Sequence, residues 1–241
     1  MSSFNNKQVL ISFLFPVYNE EKRILKTLKF IEFCKKNFKS YNFIYLLNNC
    51  NDNTKLLIKK HIKNKNVGII ESKYSSRGSG LKLSFKKIKT ENFAICSVDN
   101  AWGFNFYKKA FNSILENKYD VIYGTKSHKK SNIKRAPYRK FLSYLSKITL
   151  RILFPEMPRH DTQCIKVFKS TIPYLNILSN FNYFTDTEFA IYSKIFKLKT
   201  LELPVSVKIT KYSKLNIIGI LQFLLEAIYF RLKLIKFYIF K

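Results

Sequence analysis

The chain has 241 residues, of which 46% are hydrophobic and 16% aromatic, a composition that can bury a core and excludes a disordered chain. Its 44 Lys and Arg against 15 Asp and Glu give a formal net charge of +29, a surface that attracts nucleic acid, anionic lipid or phosphorylated substrates. The joint richness in Lys, Asn, Ile and Phe is also the mix an A+T-rich genome would encode. No RNA- or DNA-reading motif accompanies the charge, so no nucleic-acid partner is expected. Residues 9–15 (VLISFLF) read as a buried parallel strand ending at Pro16. Residues 20–36 place Ile24, Leu28, Ile31 and Phe33 among lysines, an amphipathic helix. Residues 43–47 form a second buried strand stopped by an Asn-rich turn, 52–61 a helix, and 67–70 a third strand. Gly78-Ser-Gly80 opens a helix to Lys87. Residues 93–98 are a fourth strand with Asp99 at its end, followed by a helix over 106–115 and a fifth strand over 121–123.

Strands alternating with helices at this spacing predict an α/β fold with a doubly wound, mostly parallel sheet. Ligands of such sheets bind beyond the carboxyl ends of the strands, where the polar clusters after strands one, two and four fall. Past residue 125 come a basic, flexible stretch over 126–139, an amphipathic helix over 141–154, strands over 165–168 and 201–207, and a helix over 187–196 between them. In the tail, 215–241, Gln222, Glu226 and Lys233 share one helical face and most other positions are apolar. Such a helix can lie in a membrane interface or pack on the domain or a partner. The expected organisation is one domain over 1–212 and an interfacial segment over 213–241. No stretch of about 20 apolar residues predicts a membrane span. The polar N-terminus leads directly into the first strand, so no leader is expected. Cys34, Cys50, Cys96 and Cys164 stand far apart and the three histidines are scattered. That argues against a zinc site or disulfide framework and for reduced thiols in a cytosolic compartment.

Four clusters carry candidate chemistry. Pro16-Val-Tyr18-Asn-Glu20 ends strand one. Asn19 can cap the next helix with Glu20 favouring its dipole, but capping alone does not require the preceding Pro-x-Tyr. Asn48-Asn-Cys-Asn-Asp52-Asn-Thr54 makes a tight turn and caps a helix, and amides also read nucleobase edges. Arg77-Gly78-Ser-Gly80 lets a diphosphate approach the backbone, and Asp99 can hold a divalent metal or a ribose hydroxyl. Asp161-Thr-Gln-Cys164 precedes Asp186-x-Glu188, two carboxylates ahead of a helix that suit a general base, a metal ligand or a cap.

This order of motifs resembles family 2 glycosyltransferases of the GT-A fold. The nearest branch is similar to the dolichyl-phosphate glucose and mannose synthases, on Asp161-Thr-Gln-Cys164 with Lys166-Val-Phe168 and on Ser213-Lys214-Leu215. The resemblance covers residues 9–235. It implies a hexosyltransferase that moves a hexose, usually with inversion, from a UDP- or GDP-sugar to a polyprenyl phosphate at the cytoplasmic membrane face. Pro16, Tyr18, Glu20, Asn48, Asp52, Gly78 and Gly80 would hold the donor. Asp99, Asp161, Asp186 and Glu188 are the catalytic candidates. Lys126, Arg135 and Arg139 would hold the acceptor phosphate. Mg or Mn is implied at Asp99, but the second acid of the Asp-x-Asp motif is Ala101 here. Leu47 replaces the acid of the strand-two turn, Ser79 the Lys between the glycines, and Ile165 the Gly after Cys164. A saccharide or lipid-linked glycan acceptor, with Asp186 as base, is the alternative. A degenerate domain that binds nucleotide or lipid without turnover is another.

Overall fold

The computed structural model describes residues 10–133, 137–158, 162, 164–207 and 217–239, with the side chains of 137–143 and 217 excepted. The elements in chain order are β1 (Ile11–Val17), a 3-10 turn (Ile24–Lys26), α1 (Thr27–Asn37), β2 (Tyr41–Asn48), α2 (Thr54–His61), β3 (Val67–Ser72) and α3 (Arg77–Lys87). There follow β4 (Asn92–Ile95), α4 (Asn105–Leu115), β5 (Val121–Thr125), β6 (Asn132–Ile133), α5 (Pro137–Leu153), β7 (Ile165–Lys169), α6 (Thr185–Ile195), β8 (Thr200–Pro204), β9 (Ser206–Val207) and α7 (Ile217–Ile239).

Seven strands form one sheet in the order β3-β2-β1-β4-β7-β5-β8. All its pairings are parallel except those of β7, which runs antiparallel to β4 and β5. The predicted α/β architecture is the observed one. The side-chain period of two splits each strand between the faces of the sheet. Phe13 and Phe15 of β1, Phe43 and Tyr45 of β2, Ile122 of β5 and Val167 of β7 join one core with α1 and α4. Leu14, Ile44, Leu46, Val121, Tyr123 and Phe168 join the other, under α3, α6 and α7. Phe13 meets Phe30 edge-to-face at 5.2 Å and stacks on Phe43 at 5.6 Å. Truncating such a ring to Ala costs about 3–5 kcal/mol.

Several expectations are corrected. β1 does not stop at Pro16 but continues to Val17, with Pro16 opposite Leu46. The helix expected from residue 20 begins as a 3-10 turn at Ile24. The strand read over 201–207 breaks at Val205: β8 completes the large sheet, and β9 pairs with β6 in a second one. The stretch after residue 125 is tied down at Ser131, whose Oγ donates to Thr125 O (2.7 Å) and accepts Val205 N–H (3.0 Å). Asp186 and Glu188 lie in the first turn of α6, not ahead of it.

α7 packs on the domain, one of the placements its sequence left open. Its buried stripe is Gly219, Ala227, Phe230 and Leu234; Glu226, Arg231 and Lys233 are half-buried, while Gln222 and Lys236 are exposed. Leu221, Leu225, Ile228, Leu232 and Ile239 stand exposed. Among the described residues no helix is long and apolar enough to cross a membrane.

Candidate functional site

The carboxyl ends of β1, β2 and β4 each release the chain through an Asn in the left-handed region: Asn19 (φ 49°), Asn49 (φ 52°) and Asn100 (φ 53°). Asn tolerates that conformation because its short amide can bond locally. Asn19 does not cap a helix. It ties the first edge loop to the second, accepting Asn51 N–H at 3.0 Å and donating Nδ2 to Asn51 Oδ1 at 2.6 Å. Glu20 N–H donates to Thr54 Oγ1 (2.8 Å) and Glu21 N–H to Asp52 Oδ2 (3.1 Å). Asp52 Oδ1 accepts Thr54 N–H at 3.0 Å, at the start of α2. Burial pushes the Asp52 carboxyl up, but the bonds from Thr54 and Glu21 outweigh it and hold it below the ordinary Asp value. Asp52 therefore fixes the loops, while Tyr18 is 48% exposed at the mouth of this edge.

Arg23 links the first motif to the third. Its guanidinium grips Glu20 through Nε (2.7 Å) and Nη2 (2.6 Å), and Nη1 lies 3.5 Å from Asp99 Oδ2. Asp99 Oδ1 accepts Ser97 Oγ–H (2.9 Å) and Ala101 N–H (3.2 Å). The residues here do not fit a hard divalent cation, which takes several oxygens. Ala101 supplies none, and the two acids here, Glu20 and Asp99, already face the Arg23 guanidinium. Among the described residues no group of three or more His, Cys, Asp and Glu is placed to hold a metal.

The two glycines have a different reason from the one read in the sequence. A Cβ on Gly78 would lie 2.3 Å from Ser179 O, and Gly78 N–H donates to Phe181 O at 2.7 Å. A Cβ on Gly80 would lie 2.1 Å from Asn48 Oδ1. The space is filled by the chain itself, so these glycines seat the start of α3 rather than open a phosphate cradle. Asn48 is 2% exposed and its Oδ1 has no hydrogen-bond partner.

The strongest charge cluster surrounds Asp186. Lys166 of β7, fully buried, donates its Nζ to Asp186 Oδ1 and lies 5.3 Å from the Phe189 ring. Arg77 Nη2 stands 3.3 Å from Asp186 Oδ2, and Arg77 Nε is buried with no hydrogen-bond partner among the described residues. Lys126, past β5, lies over the Trp102 ring at 4.8 Å and within electrostatic reach of Asp186. Burial raises the Asp186 carboxyl, but Arg77, Lys166 and Lys126 outweigh it and hold it below the ordinary Asp value. Glu188 is different. It is fully buried and accepts Ser179 N–H at 2.9 Å and Ser179 Oγ–H at 2.8 Å, with Lys233 at 3.5 Å. Burial pushes it above the ordinary Glu value despite Lys233 and Ser179. Its oxygens are engaged away from solvent, which corrects its place among the catalytic candidates. Asp161 and Arg135 lie outside the described residues, as does the side chain of Arg139.

The structure thus brings Glu20 to Asp99 through Arg23, Asn48 to Gly80, and Lys126 to Asp186. Sequence reasoning passed over Arg23, Lys166, Glu226 and Lys233. Lys166 carried a signal, since a lysine inside a strand that is otherwise buried needs a buried partner.

A mostly parallel seven-stranded sheet with one antiparallel strand, flanked by helices and with its polar loops at one edge, is the GT-A glycosyltransferase architecture. Residues 12–172 match the family described as glycosyl transferase family 2, and the chain belongs to that family; it is a glycosyltransferase. It is 25% identical over 239 residues to the dolichyl-phosphate beta-glucosyltransferase ALG5A of Trichomonas vaginalis, covering 93% of this chain and 74% of the relative. It is 23% identical to ALG5D of the same organism, covering 96% and 77%. Mannosyl-3-phosphoglycerate synthase from Rubrobacter xylanophilus shares the fold with a TM-score of 0.69 at 10% identity, over 93% of this chain and 74% of that one. Glucosyl-3-phosphoglycerate synthase from Mycobacterium tuberculosis, in complex with Mn2+, UDP and glucosyl-3-phosphoglycerate, shares it with a TM-score of 0.67 at 13% identity, over 92% and 79%.

Proposed function

We propose that this enzyme moves a hexose from a UDP- or GDP-sugar to a polyprenyl phosphate while docked on the cytoplasmic face of a membrane. The observation that carries this reading is the state of Asp186. A hydroxyl acceptor needs a carboxylate free to take its proton. Asp186 is instead paired with Arg77 and Lys166 and held below its ordinary pKa, which makes it a weak base. A phosphate acceptor is already an anion at neutral pH and needs cations, not a base. Its oxygen attacks the anomeric carbon, the bond from that carbon to the diphosphate oxygen breaks, and the electron pair leaves with the nucleoside diphosphate. No proton transfer is required, and one attack inverts the anomeric centre.

The donor would lie against Pro16, Tyr18 and Glu20, with Asn48 at the adjacent end of β2, where its buried side chain would have to turn outward to read the base. The curated relatives are dolichyl-phosphate enzymes by name, which supports the acceptor class. The M. tuberculosis structure carries Mn2+ with UDP, but Ala101 and Arg23 leave no equivalent oxygen set here, so the reading gives the leaving diphosphate cationic side chains instead. Under this reading 213–241 is the interfacial segment, on the exposed apolar face of α7, and 1–212 the transferase domain. Lys126, with Arg135 and Arg139, would meet the acceptor phosphate.

A radiolabelled transfer assay with polyprenyl phosphate and saccharide acceptors in parallel tests this. Arg135→Ala and Arg139→Ala should each lower transfer to polyprenyl phosphate by roughly ten- to a hundredfold, the loss of one charged hydrogen bond, while UDP or GDP binding persists. Transfer to saccharides alone would move the assignment to a hydroxyl acceptor.

A further inference from the structure

Two charged residues of α7, Glu226 and Lys233, bind one segment, residues 177–184, which leads into α6, while Arg231 pairs with Glu156 at 3.2 Å. Glu226 Oε1 accepts Asn182 N–H (2.9 Å), and Oε2 accepts Tyr183 N–H (2.9 Å) and Phe184 N–H (2.8 Å). These amides sit at the N-terminus of α6, where Phe184 supplies no side-chain cap. A carboxylate from another helix therefore satisfies the donors left open at this end. Two turns along α7, Lys233 Nζ donates to Ile177 O (3.0 Å) and Ser179 Oγ (2.9 Å). Glu188, from the first turn of α6, holds the same Ser179 through its N–H and hydroxyl.

The opposite side of this segment seats α3. Phe181 O accepts Gly78 N–H at 2.7 Å, and Ser179 O occupies the place of a Gly78 side chain. Arg77 precedes Gly78, and Asp186 is the second residue of α6. Both members of the Arg77–Asp186 pair are thus set by a segment that α7 holds.

We propose that α7 is a positioning helix for transfer: Glu226 and Lys233 act through residues 177–184 to place Arg77 and Asp186. The inference rests on the proposed function, with the Arg77–Asp186 pair counted in the transfer site because the acceptor candidate Lys126 lies within electrostatic reach of Asp186. It assigns α7 a role in turnover separate from its apolar outer face, because the two roles use opposite sides of the helix. Glu226 and Lys233 act through other residues and need not touch substrate.

The test uses the full chain, well below its melting temperature, with Glu226→Ala, Glu226→Gln, Lys233→Met and Lys233→Arg. Two readouts decide it: kcat for transfer to polyprenyl phosphate, and hydrogen exchange at the amides of 182–184 and of Gly78. Glu226→Ala should lower kcat by about tenfold, the scale of losing a helix cap, with KM for the donor, UDP binding and vesicle binding within about twofold of wild type. Glu226→Gln should recover part of kcat, since one accepting oxygen remains, and Lys233→Arg most of it. Exchange should accelerate at 182–184 and at Gly78 together. Unchanged kcat in Glu226→Ala, or acceleration confined to 182–184 with Gly78 untouched, overturns the proposal. If the wild-type chain transfers nothing to polyprenyl phosphate, the acceptor assignment fails. The exchange at Gly78 then decides this inference alone.

Discussion

Asp186→Asn keeps the side chain's shape and removes the one negative charge between Arg77 and Lys166. Lys166 has no exposed surface, so its ammonium cannot turn to water when the carboxylate is gone. Breaking a buried pair by removing one partner costs about 3–5 kcal/mol, because the other charge stays buried and uncompensated. In a chain of this size each kcal/mol lowers Tm by about 2–4 °C, so calorimetry at pH 7 should show a drop of roughly 10 °C. Lys166→Met in the same background removes the stranded charge and should recover most of the loss. The pH dependence has a definite sign. Burial alone would raise the Asp186 carboxyl, but Arg77, Lys166 and Lys126 hold it lower in the folded chain than in the unfolded one. Its contribution is therefore full above the unfolded value of about 3.9 and is lost as pH falls through the folded one. The gap between wild type and Asp186→Asn should close in acid. A loss under about 1 kcal/mol at pH 7, or a gap that stays constant below about pH 4, refutes the buried ion pair.

Three further perturbations have defined outcomes. Ala101→Asp restores an oxygen beside Asp99 and should tighten Mn2+ binding by calorimetry; unchanged affinity would mean that Asp99 does not face a metal site. Gly80→Ala puts a Cβ 2.1 Å from Asn48 Oδ1, so Asn48 must move. Chemical denaturation should show a loss of about 1–3 kcal/mol, and UDP or GDP binding should weaken if Asn48 reads the base. Leu225→Glu with Ile228→Glu, both exposed on α7, should abolish flotation with anionic vesicles at low salt without altering Tm. This pair is a cleaner probe than deleting 216–241, which would also remove Phe230 and Leu234 from the core and Glu226 from the α6 cap.

The α/β fold was legible because β1, β2 and β5 are short apolar runs with helical patterns between them, and that alternation has few packing solutions. The break at Val205 was not, because Leu201 to Val207 alternates like one strand and only the tertiary pairing of β6 with β9 divides it. The glycines were found but misread. Glycine before a helix looks the same whether a phosphate or another backbone approaches it, and here Ser179 comes from about a hundred residues downstream. The docking of α7 was left open by the sequence for a related reason. A helical wheel groups Gln222, Glu226 and Lys233 on one face but does not say what that face meets; in the structure Glu226 accepts amides ahead of α6 and Lys233 stands 3.5 Å from the buried Glu188.

The exposed apolar face of α7, together with the charge at the edge loops, bears on what the enzyme can accept. The acids there are engaged by the chain's own groups: Glu20 by Arg23, Asp52 by backbone amides, Asp99 by Ser97 and Arg23, Asp186 by Arg77 and Lys166. Around Asp186 three cations meet one carboxylate, an excess that suits a phosphate or diphosphate and not a neutral sugar alone. A hydroxyl acceptor would require one of these carboxylates to let go of its partner before it could take a proton. A lipid phosphate requires only that its anion reach the cations and that its tail find an apolar surface near by. Anionic lipid would be drawn to the same +29 chain, and the outer face of α7 offers that tail an apolar surface on the helix that braces the site. The two features support one acceptor class from independent chemistry, charge at the head and hydrophobicity at the tail. A saccharide acceptor would use the first in part and the second not at all.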